Sequence, residues 1–162
     1  EEAIANILCK EHGFAVTTIR FFNTVGPRQT GAYGMVLPRF VSAAKKNESL
    51  IVHGDGSQSR VFGHVLDAVD AVFALLDREK SIGEVFNVGG FGEITIKDLV
   101  QKVITQTNSK SEIQYISYES AYGAGFEDMQ RRVPNLAKIK EFTGWRPMRD
   151  LTQIIDDISA TI

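Results

Sequence analysis

Three arginines and one asparagine provide the polar groups best suited to bind a small anionic ligand. Asn23 directly follows the apolar run 16–22, and ligands of open α/β sheets gather beyond the carboxyl ends of strands. Its amide can donate to and accept from a diphosphate or a sugar hydroxyl. Arg60, Arg131 and Arg132 carry guanidinium forks that match phosphate oxygens. From residue type alone, a loop cap remains open for Asn23, and solvated surface charge remains open for the arginines.

Other kinds of site are not indicated. His12, His53 and His64 lack the spacing of a zinc or iron site, so no metal is expected. The glycines at 89–92 do not form GxGxxG and predict a simple turn. The single cysteine, Cys9, is typical of a reducing compartment, and we interpret it as a packing residue.

The bulk composition is that of an ordinary globular domain. The 162 residues suffice for one domain with a core, and 43% of them are apolar. A net charge of -2 argues against a nucleic-acid-binding face. No apolar run approaches the ~20 residues of a membrane span, and no signal peptide is recognisable. A cytoplasmic protein without membrane contact is therefore expected.

Strand and helix patterns alternate along the chain, which predicts a single α/β or α+β unit. Strands are predicted at 16–22, 50–52, 60–62, 84–88 and 113–116, the second and third being joined by the turn at 54–56. Helices are predicted from the start to Gly13, at 36–46, and around 66–76, 99–104, 135–144 and 151–158. Loops are predicted around 26–34 and through Gly125. In the clearest helix one apolar face is formed by Leu66, Val69, Val72, Phe73 and Leu76.

The first helix begins without a start signal. The chain opens at Glu1 rather than Met, and Ile4, Ile7 and Leu8 already follow helical spacing with no capping residue ahead of them. This pattern predicts that the sequence is a fragment of something longer.

Four segments, in order along the chain, resemble motifs of the NAD-dependent epimerase/dehydratases, which belong to the extended short-chain dehydrogenase family. Residues 20–29, RFFNTVGPRQ, resemble R-x-x-N-x-x-G-P-R-Q. Residues 52–67, VHGDGSQSRVFGHVLD, resemble V-x-G-D-G-x-Q-x-R-D-F-x-H-V-x-D. FNVGG at 86–90 is similar to the family's N-x-G turn. RRVPN at 131–135, Lys138 and GWRP at 144–147 resemble the closing R-x-x-x-D-x-x-K and L-G-W-x-P.

The resemblance implies a fold, a cofactor and a chemistry. The chain would supply the last Rossmann strand and helices plus a small α/β substrate-binding domain, while an N-terminal half would bind NAD. In the full enzyme a Tyr-x-x-x-Lys pair oxidises the sugar at C4 through NAD, and the 4-keto sugar is then epimerised, dehydrated or decarboxylated. That pair would lie upstream of residue 1, because none of the four tyrosines has a lysine four positions on: Tyr33, Tyr115, Tyr118 and Tyr122. No catalytic residue, bound cofactor or hydride chemistry is therefore expected for this chain alone.

The resemblance also implies six substrate-binding residues: Asn23, Val36, His53, Arg60, Arg131 and Arg132. Arg60 and Arg131 would clamp the diphosphate, with Arg132 as the alternative to its neighbour. Asn23 would contact the phosphate or the sugar. Val36 and His53 match family positions that lie near the nucleotide base.

Further residues of the second motif are expected to have structural roles. Gln58 is a structural or secondary contact, His64 a packing residue, and Asp67 an N-terminal helix residue favoured by the helix dipole. Val61 stands where the family usually has an acidic residue, and Gly63 also departs from the commonest letter. These departures bear on substrate specificity.

Two functions from different classes follow. The first is the UDP- or dTDP-sugar-binding portion of an epimerase or dehydratase, with a preference for a UDP-sugar 4-epimerase. The alternative is a stand-alone, non-enzymatic nucleotide-sugar-binding or assembly module. Full-length relatives commonly pair through the Tyr-x-x-x-Lys helix, and apolar surface left without a Rossmann half favours association. A homodimer or higher oligomer is expected.

Overall fold

The computed structural model describes residues 1–31, 35–123, 125 and 128–162, with the backbone alone at Tyr122. The predicted loops at 26–34 and through Gly125 therefore lie partly outside the described residues, and Tyr33 lies wholly outside them.

Helices and strands alternate, as the sequence pattern predicts. The helices are α1 (Glu2–His12), α2 (Val36–Lys45), α3 (Val65–Leu76), α4 (Ile96–Gln106), α5 (Tyr118–Tyr122), α6 (Ala137–Thr143) and α7 (Leu151–Ser159). The strands are β1 (Thr18–Phe21), β2 (Thr24–Val25), β3 (Leu50–His53), β4 (Ser59–Arg60), β5 (Gly63–His64), β6 (Val85–Val88), β7 (Ile94–Thr95), β8 (Ile113–Ile116) and β9 (Arg131–Arg132). The longer elements fall within a few residues of their predicted positions, whereas several two-residue strands and α5 were not predicted.

Most strand pairs are parallel. β1 pairs with β6, β2 with β5, and β3 with β8, all in parallel. β4 lies between β7, to which it is antiparallel, and β9, to which it is parallel. Parallel pairs require crossover connections, and α2, α3 and α4 lie within these connections.

The turn at 54–56 joins β3 and β4, as predicted, but the two strands do not pair with each other. The two strands belong to different sheets, and the segment between them bonds to the start of α4 instead. Lys97 N donates to the Gly56 carbonyl, and Ile96 N donates to the Gln58 carbonyl. The glycine turn therefore carries the chain from one sheet to another, because the backbone groups that a hairpin would pair are used by β8 and α4.

Two apolar clusters form the core. The larger one combines α2, β3, α4 and α7, with the largest fully buried side chains at Leu37, Leu50, Leu99, Ile154 and Ile155. The smaller one joins α3, β6 and α6, with Phe86 packed against Phe142 at a ring separation of 5.1 Å. The cavity described below is lined in part by residues of the larger cluster.

Helix α3 buries a different face from the one that its apolar pattern indicates. Its buried residues are Asp67, Ala68, Ala71 and Leu75. Four of the five large apolar residues are exposed: Leu66, Val69, Phe73 and Leu76. Ala68, Ala71 and Leu75 pack in the smaller cluster, so the face that carries the alanines is the one that meets the core. The exposed apolar stripe supports the expected association, while the oligomeric state stays a prediction.

Gly63 and Gly90, in the motifs at 52–67 and 86–90, allow the backbones of these two segments to come into close contact. A methyl group at Gly90 would overlap the carbonyl oxygen of Phe62, and one at Gly63 would lie 2.8 Å from the Gly90 nitrogen. Gly63, which departs from the commonest family letter, therefore meets the glycine turn across this contact. The turn serves backbone packing, as the simple-turn interpretation predicts.

Asp67 has a larger structural role than a favourable interaction with the helix dipole. Its carboxylate is 2% exposed and accepts hydrogen bonds from the backbone nitrogens of Met148 and Arg149 at 3.1 and 3.0 Å. The Arg149 guanidinium pairs with the same carboxylate. Trp145 Nε1 donates to the Asp67 carbonyl at 3.1 Å. This buried acid thus fixes the segment at 145–149 against α3.

The buried His64 caps the same helix, since its Nδ1 accepts from Leu66 N at 3.0 Å. This contact gives it the structural role that the sequence predicts. No helix among the described residues combines the length and the apolar character needed to cross a membrane.

Candidate functional site

A cavity of about 350 Å³ opens where β2, α2, β3, β4 and β9 meet. Its apolar wall comes from the larger core, through Val25, Phe40, Phe62 and Ile96. Five of the six predicted substrate-binding residues line it: Asn23, Val36, His53, Arg60 and Arg132. These residues lie far apart in the sequence, between positions 23 and 132, and the parallel strand pairs bring them together. A part-apolar cavity with a few convergent polar groups is the usual form of a small-molecule site.

Arg131, the sixth predicted residue, does not line the cavity. It is exposed, and its guanidinium forms a fork with Glu93, with Nε and Nη2 each 2.8 Å from a carboxylate oxygen. Successive side chains of a strand point to opposite faces, so only one of the two neighbouring arginines on β9 can face the cavity. The structure places Arg132 there.

Asn23 occupies a strained backbone position between β1 and β2. Its φ of 39° lies in the left-handed region, which asparagine tolerates better than most residues. Nδ2 donates to the Val61 carbonyl at 2.7 Å, and Oδ1 accepts from Arg132 Nη2. The amide therefore connects the loop before β5 to the cavity arginine on β9. Asn23 thus has a structural role and also lines the cavity, while its contact with a ligand stays a prediction.

Arg60 is the most deeply buried cation of the cavity, with 7% of its surface exposed. Its Nη2 donates to both oxygens of Asp128, at 2.9 and 2.8 Å, and Nη1 donates to the Ser59 carbonyl at 2.8 Å. A buried guanidinium requires such a partner, because an uncompensated charge in the interior is strongly unfavourable. The arginine is thus held in one orientation before any ligand arrives.

Tyr118 and Gln58 complete the hydrogen-bond network around Asp128. The Tyr118 hydroxyl donates to Asp128 Oδ2 at 3.0 Å and accepts from Gln58 Nε2 at 2.7 Å. Burial, followed by the hydrogen bond to the Asp128 carboxylate, raises the pKa of Tyr118 to about 12. The phenol therefore remains a neutral donor at physiological pH.

His53 and Arg39 lie at the part of the cavity formed by β3 and α2. The His53 ring meets Tyr118 edge to face, with ring centroids 6.4 Å apart. Burial lowers the pKa of His53, and the nearby Arg39 cation lowers it further. At neutral pH the ring is therefore neutral. Among the described residues of the lining, the guanidinium groups of Arg39, Arg60 and Arg132 and the Asp128 carboxylate give a net charge of two positive units (3 − 1 = 2).

The lowered pKa of His53 predicts a pH dependence of stability. Below about pH 6.5 the unfolded chain binds a proton at this histidine that the folded chain resists. The free energy of unfolding should therefore fall as the pH drops from about 6.5 through the folded pKa, and the contribution should be constant above that window. Urea denaturation between pH 7.5 and 5.5 should show a smaller loss for His53→Gln than for the wild type. If the free energy of unfolding fell equally with pH in the two proteins, the lowered pKa of His53 would be contradicted.

Sequence reasoning missed Tyr118, Asp128 and Arg39. The sequence presents Tyr118 only as a tyrosine without a lysine four positions on, and Asp128 lies between the loop predicted through Gly125 and the helix predicted at 135–144, where no element was predicted. Arg39 lies in the predicted helix at 36–46, three residues after Val36, and this helical spacing was the available signal. Among the described residues, no group of three or more acids, histidines and cysteines could hold a metal ion.

Comparison with known proteins identifies the family. The family model for GDP-mannose 4,6 dehydratase matches residues 1–158. The UDP-N-acetyl-alpha-D-glucosaminuronate decarboxylase of Bacillus cytotoxicus is 41% identical over 136 residues, which cover 83% of this chain and 42% of that protein. The chain thus spans less than half the length of this relative.

Solved structures extend the comparison to the fold. The UDP-glucose 4-epimerase of Thermotoga maritima, solved with UDP-glucose, superposes with a TM-score of 0.87 at 26% identity, covering 99% of this chain and 50% of the epimerase. The dTDP-glucose 4,6-dehydratase of Bacillus anthracis, in complex with NAD, superposes with a TM-score of 0.82 at 27% identity, covering 99% of this chain and 47% of the dehydratase. The α/β architecture is therefore that of about half of a Rossmann-fold epimerase or dehydratase. The chain belongs to the GDP-mannose 4,6-dehydratase family, within the extended short-chain dehydrogenases.

Proposed function

We propose that this chain is the nucleotide-sugar-binding portion of an NAD-dependent enzyme that modifies a UDP-sugar. The main observation in support of this proposal is the cavity that Arg60 and Arg132 line together with His53. A nucleoside diphosphate needs cationic forks for its phosphates and a less polar recess for its base, and the lining offers both. Its two net positive charges match the charge of a diphosphate diester.

Each of the five predicted residues that line the cavity has a place in this proposal, and Arg131 has none. Arg60 and Arg132 clamp the diphosphate, and Asn23 holds Arg132 while contacting the phosphate or the sugar. The base lies near Val36 and His53. Because the His53 ring is neutral, it can accept or donate a hydrogen bond without adding charge.

The described residues do not fit NAD. A dinucleotide site needs a glycine-rich turn whose amides face the pyrophosphate at the start of a helix. In this structure Gly90 is packed against Phe62, and the next helix, α4, begins only at Ile96. We assign NAD, and the oxidation of the sugar through it, to a full-length enzyme.

Within the family, the 4-keto sugar can be epimerised, dehydrated or decarboxylated, so three reaction classes are possible. The sequence alone favours 4-epimerisation. The decarboxylase named above, at 41% identity, favours decarboxylation of a UDP-uronate instead. We therefore propose a UDP-sugar carrying an acidic group as the substrate, with a UDP-sugar 4-epimerase as the runner-up.

Calorimetric titration of the chain with UDP, dTDP, GDP and NAD tests the proposal. We expect saturable binding of UDP or dTDP, with UDP the tighter, and no heat of binding from NAD. Binding of NAD alone, or of no nucleotide by a chain whose circular dichroism shows it folded, would contradict the proposed function.

A stand-alone binding or assembly module is the second candidate, since the sequence contains no Tyr-x-x-x-Lys. Both candidates predict nucleotide binding without turnover by this chain, so binding alone does not separate them. The reading frame upstream of residue 1 does: codons for a glycine-rich turn and a Tyr-x-x-x-Lys pair would exclude the module.

A further inference from the structure

Among the described residues that line the cavity, Arg39 is the cation without a protein acceptor. Arg60 is held by the Asp128 carboxylate, and Arg132 donates to Asn23. The exposed Arg39 side chain lines the same cavity but makes no hydrogen bond or ion pair with any residue in the described ranges. Its donor hydrogens are therefore available to a ligand or to solvent.

The position of Arg39 depends on α2 and on the loop before it. Val36, Arg39 and Phe40 follow helical spacing, and all three line the cavity. The aliphatic part of the arginine passes against Gly31, where a methyl group would lie 2.8 Å from Arg39 Cγ. Burial lowers the pKa of His53, and the Arg39 cation lowers it further, so the guanidinium lies within electrostatic reach of this ring. Arg39 thus lies close to both residues at which the base is proposed to bind.

The two arginines proposed to bind the diphosphate lie on other elements. Arg60 and Arg132 are partners in register on β4 and β9, so their side chains leave the same face of this sheet. The ring of Tyr118 connects His53 to this pair, since it meets His53 edge to face and its hydroxyl donates to the carboxylate that holds Arg60. A diphosphate on the arginine pair and a base at His53 would leave the guanidinium of α2 at the nucleoside end of the ligand.

We propose that Arg39 binds the base of the nucleotide, while Arg60 and Arg132 bind its diphosphate. This proposal rests on the function proposed above. A guanidinium is planar and carries only donors, so it can stack on a heterocyclic ring and donate to a carbonyl oxygen of that ring. Uracil offers both a flat ring and such oxygens. A lysine ammonium at the same position keeps the charge but has no plane to stack.

Two variants test this contact without changing the charge of the cavity. Arg39→Lys keeps the positive charge and removes the planar fork. Gly31→Ala places a methyl group against Arg39 Cγ and so displaces the arginine from its base. Arg131→Lys is the matched control, because this arginine is exposed and lies outside the cavity. Inorganic pyrophosphate serves as a ligand that has the diphosphate but no base.

The affinity for UDP is measured by calorimetric titration, and that for pyrophosphate by displacement of UDP. We expect Arg39→Lys and Gly31→Ala to weaken UDP binding about 5- to 10-fold and to change pyrophosphate binding by less than about twofold. Arg131→Lys should change neither affinity by more than about twofold. In the wild type, NOEs should connect the ring protons of bound uracil with the Arg39 Hδ protons.

Three results would overturn the inference. Equal losses of UDP and pyrophosphate affinity in Arg39→Lys would identify a phosphate contact instead. Unchanged UDP affinity in Arg39→Lys, or bound UDP without NOEs to Arg39, would identify a solvated surface cation and leave the proposed function intact. A wild type that binds no nucleotide would overturn the proposed function and this inference together. Circular dichroism checks that Gly31→Ala is folded, and Arg39→Lys decides the question if it is not.

Discussion

Replacing Arg60 by alanine is expected to reduce the affinity of the chain for UDP by at least about 100-fold, as measured by calorimetric titration. The substitution removes a charge-assisted, bidentate contact to the diphosphate. It also leaves the Asp128 carboxylate in the cavity without its cation, so that two negative groups face each other in a partly dehydrated site.

Arg131→Ala is the matched control for this substitution. Both variants lose one positive charge and one arginine–carboxylate fork, but Arg131 is exposed and lies outside the cavity. Its loss should change the UDP affinity by less than about twofold. A large effect of Arg131→Ala together with a small effect of Arg60→Ala would mean that the diphosphate binds on the other face of β9, and the proposed site would have to be abandoned.

Asp67→Asn is expected to lower the free energy of unfolding by about 2–3 kcal/mol, measured by urea denaturation. Asp67 is buried, and its carboxylate accepts from two backbone nitrogens and from the Arg149 guanidinium. The amide of asparagine keeps the volume but removes the charge and presents a donor toward other donors. The effect is moderated because Arg149 is partly exposed and can be hydrated.

Asp70→Asn provides the control on the same helix. Asp70 is 61% exposed and lies 3.6 Å from the same Arg149 guanidinium. Its replacement should change the free energy of unfolding by less than about 0.5 kcal/mol. Similar losses for the two variants would show that long-range attraction to Arg149, rather than the buried hydrogen bonds of Asp67, stabilises this contact.

The positions of the longer elements could be predicted from the sequence because they depend on local patterns. α4 and α7, for instance, bury the apolar residues that their spacing indicates. The buried face of α3 could not be predicted in this way, since small alanines face the core and large side chains remain exposed. The strand partners of β3 and β4 could not be predicted for a similar reason, because β8, β7 and β9 are distant from them in sequence.

Residues of the candidate site could be predicted from the sequence where they lie within a family motif. The motifs indicated Asn23, Arg60 and the arginine pair at 131–132, and strand alternation on β9 then distinguishes the two arginines. Asp128 and Tyr118 had no such signal, because their importance comes from hydrogen bonds that form only when β4 and α5 are adjacent. Residues whose role depends on tertiary neighbours cannot be found from spacing alone.

Helix α7 packs against α2 and α4 in the larger core, and Ile154, Ile155 and Ile158 are buried there. During synthesis on the ribosome, the core beneath the cavity therefore cannot close until the last of these residues has emerged. Until then α2 and α4 must leave apolar surface open. Arg60 and the other described cavity residues are translated before α7, so the cavity is expected to take its final shape only once this last helix has packed.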